Sequence, residues 1–312
     1  MNKTSFLIVT RNSTSIYPLL FDLEVFYDSD YVNKIHIVDN GSTKEYLDEL
    51  NFIIKDLSIK DQIIIHKLKY NYLYSRANNY GMDFILKNES TTEFVCIMNP
   101  DLRFSKDAFD CAGKDNFYQS YEEYNNLIIG GILLREDHKT IEHIGCTNNS
   151  HISYNFKFNL IELKKYYNAT DRFFPMFLAL NTIEWLTGAF LILPVNIIKK
   201  IGFFDQKHFT HWCSDQEYCR RFRLIFESNQ AFTFGLHCFP FIHEQGTSSG
   251  NPHKEVLKDL PPNIIPNIQP FTLQYIKQIA EGNSKSYVDF DPNDPTDPII
   301  ILNIEEVYGR YK

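Results

Sequence analysis

The sequence predicts an α/β protein built on a parallel sheet with helices on both faces. Three observations predict it. Four almost continuous apolar runs, Phe6-Leu7-Ile8-Val9, Ile35-His36-Ile37-Val38, Ile63-Ile64-Ile65 and Phe94-Val95-Cys96-Ile97-Met98, alternate with helical patterns over the first hundred residues. Strands buried on both faces read as such runs rather than as strict alternation. Of the 312 residues, 44% are apolar and 22% charged, which suits a globular chain with a sizeable core. Three of the four runs end in polar clusters, at Thr10, Asp39 and Asn99. Open parallel sheets place their ligands at that end.

The elements follow in order. After the first strand, Leu19, Leu20, Leu23 and Phe26 share one side of a helix over 18–27. The second strand leads to a helix over 44–57, the third to a helix over 75–87 whose apolar positions include Ala77, Met82, Ile85 and Leu86. Beyond 101 the pattern loosens. Strands are expected over 127–134 and 189–193, with loops and short hairpins over 137–184. A helix over 215–227 carries Arg220, Arg221 and Arg223, which read as a solvated basic face. From 251 to 312 Pro, Asn and Asp accumulate, as in Pro261-Pro262 and Asp291-Pro292-Asn293-Asp294-Pro295. This stretch reads as a C-terminal extension wrapped over the domain or partly mobile. No internal repeat is visible.

Composition excludes several functions. Lys and Arg number 31 against 39 Asp and Glu, a net charge of -8, where a nucleic-acid binder shows a basic patch. The six cysteines form no CxxC pair, so neither a zinc ribbon nor a thioredoxin-like site is expected, and their scatter suits a reducing compartment. The first ten residues read as a strand rather than a signal peptide. No apolar stretch approaches the ~20 residues of a membrane span. The chain is therefore expected to be soluble and cytoplasmic, with a peripheral contact at the inner face of the cell membrane left open. The 15% aromatic content serves core packing first, with stacking on sugars or bases as the alternative.

The chemistry gathers at the strand ends. These carry Thr10-Arg11-Asn12, then Asp39-Asn40-Gly41-Ser42-Thr43, then Asn99-Pro100-Asp101. Between them lie Asn71, Arg76, Asn78, Asn79 and Gly81. Each alone is also a common turn or cap residue. No GxGxxG or P-loop follows the first strand, which removes the main support for dinucleotide oxidoreductases and P-loop phosphotransferases. The Gly-rich basic loop of sugar nucleotidyltransferases is missing as well. Two carboxylates, Asp39 and Asp101, suggest two tasks: accepting a hydrogen bond from a base N–H, and holding a divalent cation that neutralises phosphates.

Seven segments resemble glycosyltransferase family 2. Ile37-Val38-Asp39-Asn40-Gly41-Ser42-Thr43 is similar to its "VDNGSTD" segment, and the stretch from Asn71 through Arg76, Asn78 and Asn79 to Gly81 resembles "N-x-G-x-x-x-A-N-N-x-G". Asn99-Pro100-Asp101 resembles the modified DxD motif, in the form found in rhamnosyltransferase-like members. Trp185-Leu186-Thr187-Gly188-Ala189 resembles "W-x-S-G-A". Gly202-Phe203-Phe204-Asp205 and Ser214-Asp215-Gln216-Glu217 resemble "G-x-F-D-E" and the Glu-Asp segment, and His243-Glu244-Gln245-Gly246-Thr247-Ser248 resembles "H-x-x-G-x-S". The segments occur in the family's order between residues 4 and 250. Leu73 stands where the family has Gly, and Ser214 where it has Glu. The segment between Phe204 and Asp215 is one residue longer than usual. Nothing after Asn251 matches.

The resemblance implies the GT-A fold, with a nucleotide-sugar half over 1–101 and an acceptor half over 102–250 sharing one mixed sheet. It implies inverting transfer of a sugar from a nucleotide diphosphate to a hydroxyl of a glycan or lipid-linked acceptor in surface polysaccharide synthesis. Rhamnose from dTDP-rhamnose comes first among donors, with UDP-sugars and galactofuranose, glucose and N-acetylhexosamine transfer open. The implied donor site is Thr10, Asn12, Asp39, Asn71, Arg76, Asn78, Asn79, Asn99 and Asp101. Mg²⁺ or Mn²⁺ is expected on Asp101, with His243 as second ligand. Asp215 is the expected general base, although a helix N-terminus also favours a capping Asp. Trp185, Gly188 and Glu217 are expected at the acceptor, with His208 and His211 nearby. An inactive sugar-binding module is the competing reading from another class.

Overall fold

The computed structural model describes residues 3–104, 118, 126–138, 140–143, 145–147, 150–151, 177–179, 184–206, 208–211, 213–226 and 234–244. The extension expected over 251–312 lies outside them. The first half runs β1 (Lys3–Thr10), α1 (Ile16–Phe26), β2 (Val32–Asp39), α2 (Lys44–Asp56), β3 (Ile63–Lys67), α3 (Leu73–Asn88) and β4 (Thr92–Met98). The second half contributes β5 (Leu102–Phe104), β6 (Ile128–Leu134), β7 (Ile141–His143), the small hairpin β8 (Cys146–Thr147) and β9 (Ser150–His151), and β10 (Phe177–Ala179). It ends with β11 (Phe190–Pro194), α4 (Val195–Ile201), α5 (Ser214–Phe226) and β12 (Phe234–His243).

One sheet of ten described strands joins both halves, in the order β10-β12-β6-β11-β4-β1-β2-β3, with β5 on β12 and β7 on β6. The expected parallel sheet is its first half only: β3, β2, β1 and β4 are parallel neighbours. β11 then enters antiparallel to both β4 and β6, and the sheet becomes mixed. Side-chain alternation along the strands feeds two cores. Leu7, Val38, Val95 and Ile97 pack with α3, α4 and α5 through Ala77, Met82, Ile198 and Phe222. Phe6, Ile8, Ile37 and Met98 pack on the other face with Leu19, Leu20 and Leu23 of α1 and Leu50 of α2.

Two sequence expectations change here. Arg221 is not part of a solvated face: it is fully buried in α5. Its guanidinium forks onto both Glu217 oxygens at 2.7 Å and donates to the carbonyls of Ile201 at 2.7 Å and Phe203 at 2.8 Å. It thereby supplies donors to carbonyls at and just beyond the end of α4. β12 is the second change. It was not foreseen as a strand, yet it holds β5, β6 and β10 together.

Candidate active site

The first of the expected donor residues lie where β1 and β2 end. Thr10 is in register with Asp39, and the Asn40 N–H donates to the Thr10 carbonyl at 2.8 Å. Asn12 takes a left-handed conformation (φ 49°), and its Oδ1 accepts the Thr43 N–H while its own N–H donates to Ser42 Oγ, both at 2.9 Å. Gly41 is also left-handed (φ 77°), and a Cβ there would lie 2.5 Å from the Tyr70 carbonyl carbon, so only glycine fits. Asp39 is 1% exposed and accepts the Ser42 N–H at 3.1 Å. Burial raises its pKa, opposed by hydrogen bonds from Ser42 and by the charges of Lys67 and Arg11.

Three side-chain bonds then shape the loop into α3. Asn40 Nδ2 donates to Asn71 Oδ1 at 3.0 Å, Asn40 Oδ1 accepts the Tyr72 N–H at 2.8 Å, and Asn71 Oδ1 accepts the Leu73 N–H at 3.1 Å. Leu73 keeps the left-handed backbone (φ 62°) that glycine adopts readily, so the substitution does not remove the turn. Arg76 is buried, its guanidinium 4.2 Å above the Tyr72 ring.

Three expected donor residues are committed to packing. The Thr10 hydroxyl lies 2.7 Å from Tyr46 Oη. Asn78 Nδ2 donates to the Tyr74 carbonyl at 2.9 Å, one turn back. Asn79 ties α3 to the 204–206 loop: its Nδ2 donates to Phe204 O at 2.9 Å and Gln206 Oε1 at 2.8 Å, and its Oδ1 accepts the Phe204 N–H at 3.0 Å.

The residues expected to hold the metal lie where β4 ends. Antiparallel pairing of β12 with β5 sets His243 opposite Leu102, and the Glu244 N–H donates to the Asp101 carbonyl at 3.0 Å. This brings His243 Nε2 to 3.4 Å from Asp101 Oδ1, while His243 Nδ1 lies 3.2 Å from both oxygens of Glu142 on β7. Burial alone would lower the His243 pKa, but hydrogen bonds and charge from Asp101 and Glu142 outweigh it and push it up to about 10. No group of three or more His, Cys, Asp or Glu among the described residues is arranged to hold a metal. Mg²⁺ and Mn²⁺ bound with substrate phosphates need only one or two protein ligands, and the nearly buried Asp101 carboxylate fits that use, whereas His243, protonated between two carboxylates, would ligate only on releasing its Nε2 proton. A carboxylate on the far nitrogen of a ligating His is the usual orienting partner.

One stretch of backbone, Gly188–Ala189, joins the end of β4 to the start of α5. The Asn99 N–H donates to the Ala189 carbonyl at 2.8 Å. The neighbouring Gly188 N–H donates to Asp215 Oδ2 at 2.7 Å, and Asp215 Oδ1 accepts the Gln216 N–H at 2.8 Å. Trp185 is partly buried, its ring 5.8 Å from that of His143. Ser214 is buried and donates to the His211 carbonyl at 3.2 Å. Burial lowers the His211 pKa to about 4. His208 lies 2.9 Å from Asp205 Oδ2. Glu217 does not join the acceptor residues: it is fully buried and both its oxygens bind Arg221.

Asn99 is thus bonded to Ala189, the neighbouring Gly188 to Asp215, and Asp101 to His243, while Asp39 ends β2 and Asn71 precedes α3. Two residues at this site were not foreseen. Glu142 lay in a stretch without periodicity, and Tyr74, whose hydroxyl donates to the Gly188 carbonyl at 2.7 Å, carries no signal beyond its place in the 71–81 motif.

A curled mixed sheet with polar strand ends on one side is the architecture of the GT-A glycosyltransferases, and the chain has that fold. No protein-family model matches it, and no curated protein is significantly similar in sequence. Among solved structures, GalNAc-T7 with UDP, GalNAc and Mn²⁺ matches at a TM-score of 0.54 and 11% identity, over 81% of this chain and 46% of that one. The mannosyltransferase PcManGT from Pyrobaculum calidifontis, in complex with GDP-Man and Mn²⁺, matches at 0.47 and 10%, over 77% and 56%. The chain thus spans about half the length of these proteins.

Proposed function

We propose that the chain is an inverting, metal-dependent glycosyltransferase that moves a sugar from a nucleotide diphosphate to a hydroxyl of a glycan or lipid-linked acceptor. One observation carries the reading. Asn99, two residues before the carboxylate Asp101, and the carboxylate Asp215 are bonded to adjoining residues of one segment, through Asn99–Ala189 and Gly188–Asp215. A leaving diphosphate and an incoming hydroxyl require such opposed groups around one anomeric carbon.

Each residue then has a task. Asp39 accepts the N3–H of uracil or thymine; a buried carboxylate with raised pKa gains most from such a donor. Asp101 would hold Mg²⁺ or Mn²⁺, joined by His243 once its Nε2 proton is released, and the ion would neutralise charge on the leaving diphosphate. Asp215 takes the proton of the acceptor hydroxyl as the new C–O bond forms. Trp185 offers an aromatic face to the acceptor sugar. With one base on the acceptor side and the diphosphate leaving opposite, a single displacement inverts the anomeric centre. The Asn-Pro-Asp form of the metal motif places dTDP-rhamnose first among donors to test, with UDP-sugars next and surface polysaccharide as the product class. No described helix is long and apolar enough to cross a membrane.

Calorimetry with UDP, dTDP, GDP, ADP and CDP, with and without Mn²⁺, tests the reading. UDP or dTDP should bind best and only with the metal, and Asp101→Ala should abolish the metal dependence. Affinity that is the same in EDTA overturns the metal assignment. Absence of binding by every nucleotide overturns the function.

A further inference from the structure

His243 stands between two carboxylates that come from different strands. Leu134 of β6 pairs with Ile141 of β7 on one side and with Ile242 of β12 on the other. The next residues, Glu142 and His243, face one another across the end of β6. Leu133 and Leu134 are adjacent, yet their β7 partners His143 and Ile141 are two apart. Glu142 is thus the extra residue of a bulge, a feature that re-aims a side chain. Both its oxygens lie 3.2 Å from His243 Nδ1, and Asp101 Oδ1 lies 3.4 Å from Nε2. The Glu142 side chain is 11% exposed and that of His243 15%. An ionised carboxylate only accepts, so Nδ1 carries the hydrogen that lies between the ring and Glu142.

We propose that Glu142 is a positioning residue for a divalent cation: by accepting the Nδ1–H of His243 it holds the ring with Nε2 turned to Asp101, so that carboxylate and imidazole can share one ion beside a nucleoside diphosphate. The inference rests on the reading of Asp101 and His243 as the metal residues. An imidazole ring has two nitrogens on one plane, and its last torsion has two broad settings. A half-turn about that torsion exchanges Nδ1 with a carbon and Nε2 with a carbon. It would then present C–H groups, which bind no ion, to Asp101 and Glu142. The bond to Glu142 selects the other setting. Asp101 favours the same setting, but an ion would engage Asp101 itself, whereas Glu142 lies on the far nitrogen and keeps its bond. Such an outer partner fixes both the tautomer and the plane of a ligating histidine.

The test compares wild type, Glu142→Gln and Glu142→Ala as full chains and needs no turnover. Mn²⁺ affinity is read from the free-ion EPR signal with UDP or dTDP present. The ring hydrogens of His243 are read by NMR in metal-free protein labelled with ¹⁵N-histidine, and stability is read in urea. Glu142→Ala should weaken Mn²⁺ binding by about 10- to 100-fold. Glu142→Gln keeps an accepting oxygen in place and should retain most of the affinity. The Nδ1 hydrogen should be visible in wild type and Glu142→Gln, and lost to rapid exchange with water in Glu142→Ala. Glu142→Ala with wild-type Mn²⁺ affinity overturns the proposal, and if it is also less stable in urea Glu142 is merely structural. Glu142→Gln as weak as Glu142→Ala overturns it too, because charge and not orientation would then matter. A wild type that binds no Mn²⁺ beside either nucleotide overturns the metal reading instead, and the ring spectrum, which needs no metal, then decides whether Glu142 holds the ring.

Discussion

Asp39 and Glu217 are both buried carboxylates, and they differ in what their oxygens hold. Asp39 accepts from Ser42 and sits at a strand end, under the field of Lys67 and Arg11. Asp39→Asn should relax the preference for UDP or dTDP by about 10- to 100-fold, the worth of one charged hydrogen bond at roughly 1.5–3 kcal/mol. Competition calorimetry reads this, and an unchanged preference removes the role. Glu217 is held by Arg221 with neither partner exposed. Removing one member of a buried pair typically costs about 3–5 kcal/mol. Glu217→Ala should therefore lower the unfolding free energy by that amount, read as a lower urea midpoint at unchanged slope, while the folded fraction keeps its acceptor KM. A raised acceptor KM at unchanged stability would return Glu217 to the acceptor subsite.

At the scale of elements, the Asn71–Leu73 turn and β12 show what a sequence pattern reveals and what it hides. Leu73 is left-handed and 2% exposed at once. Leu73→Gly relieves about 1–2 kcal/mol of backbone cost but gives up a buried leucine side chain worth about 2–5 kcal/mol. It should lower stability modestly and leave UDP affinity intact. Leu73→Val, β-branched in the same conformation, should weaken both. Denaturation and calorimetry on the two variants separate backbone shape from side-chain packing. The strands β1 to β4 were legible because burial on two faces leaves unbroken apolar runs, and helices α1, α2, α3 and α5 because their apolar stripes keep a helical period. β12 was not, because Pro240 interrupts it and a register shift between His237 and Pro240 breaks its alternation. Polar residues posed the opposite difficulty. Asn71 and Asn79 belong to one motif, yet one shapes the nucleotide turn and the other pins α3 to the 204–206 loop, a distinction only tertiary contacts make.

For the whole molecule, the sheet buries a polar line far from the chemistry. His36 Nδ1 lies 2.9 Å from His66 Nε2, and His36 Nε2 lies 2.6 Å from Glu89 Oε1. Burial, with the neighbouring His36, lowers the His66 pKa from 6.5 to about 4. A folded-state pKa below the unfolded one means that His66 stabilises the fold above about pH 6.5 and loses that contribution as the pH falls toward 4. Burial opposes ionisation of Glu89, but hydrogen bonds from His36 and Ser5 prevail and lower its pKa, so its share is lost at still lower pH. Stability should therefore fall in two successive steps on acidification. Urea unfolding at about pH 7, 5.5 and 4.5 reads the first step. His66→Asn, which takes no proton, should flatten it. Equal stability at the three values would show that His66 carries no such linkage.

The place of β12 beside β6 also fixes an order of events during synthesis. β6 is buried along its entire length and carries neither charge nor proline. β11 covers one of its edges, but the other waits for a strand made about a hundred residues later, which pairs along its full length in parallel. Until then the Ile128–Leu134 segment presents an apolar open edge, the kind that recruits identical segments from other chains. A chain ended at residue 233 should form thioflavin-positive aggregates under conditions in which the full chain stays dispersed. Adding Ile132→Lys to the shortened chain should suppress them by placing a charge on the open edge. A shortened chain that remains dispersed would mean that β6 finds another cover.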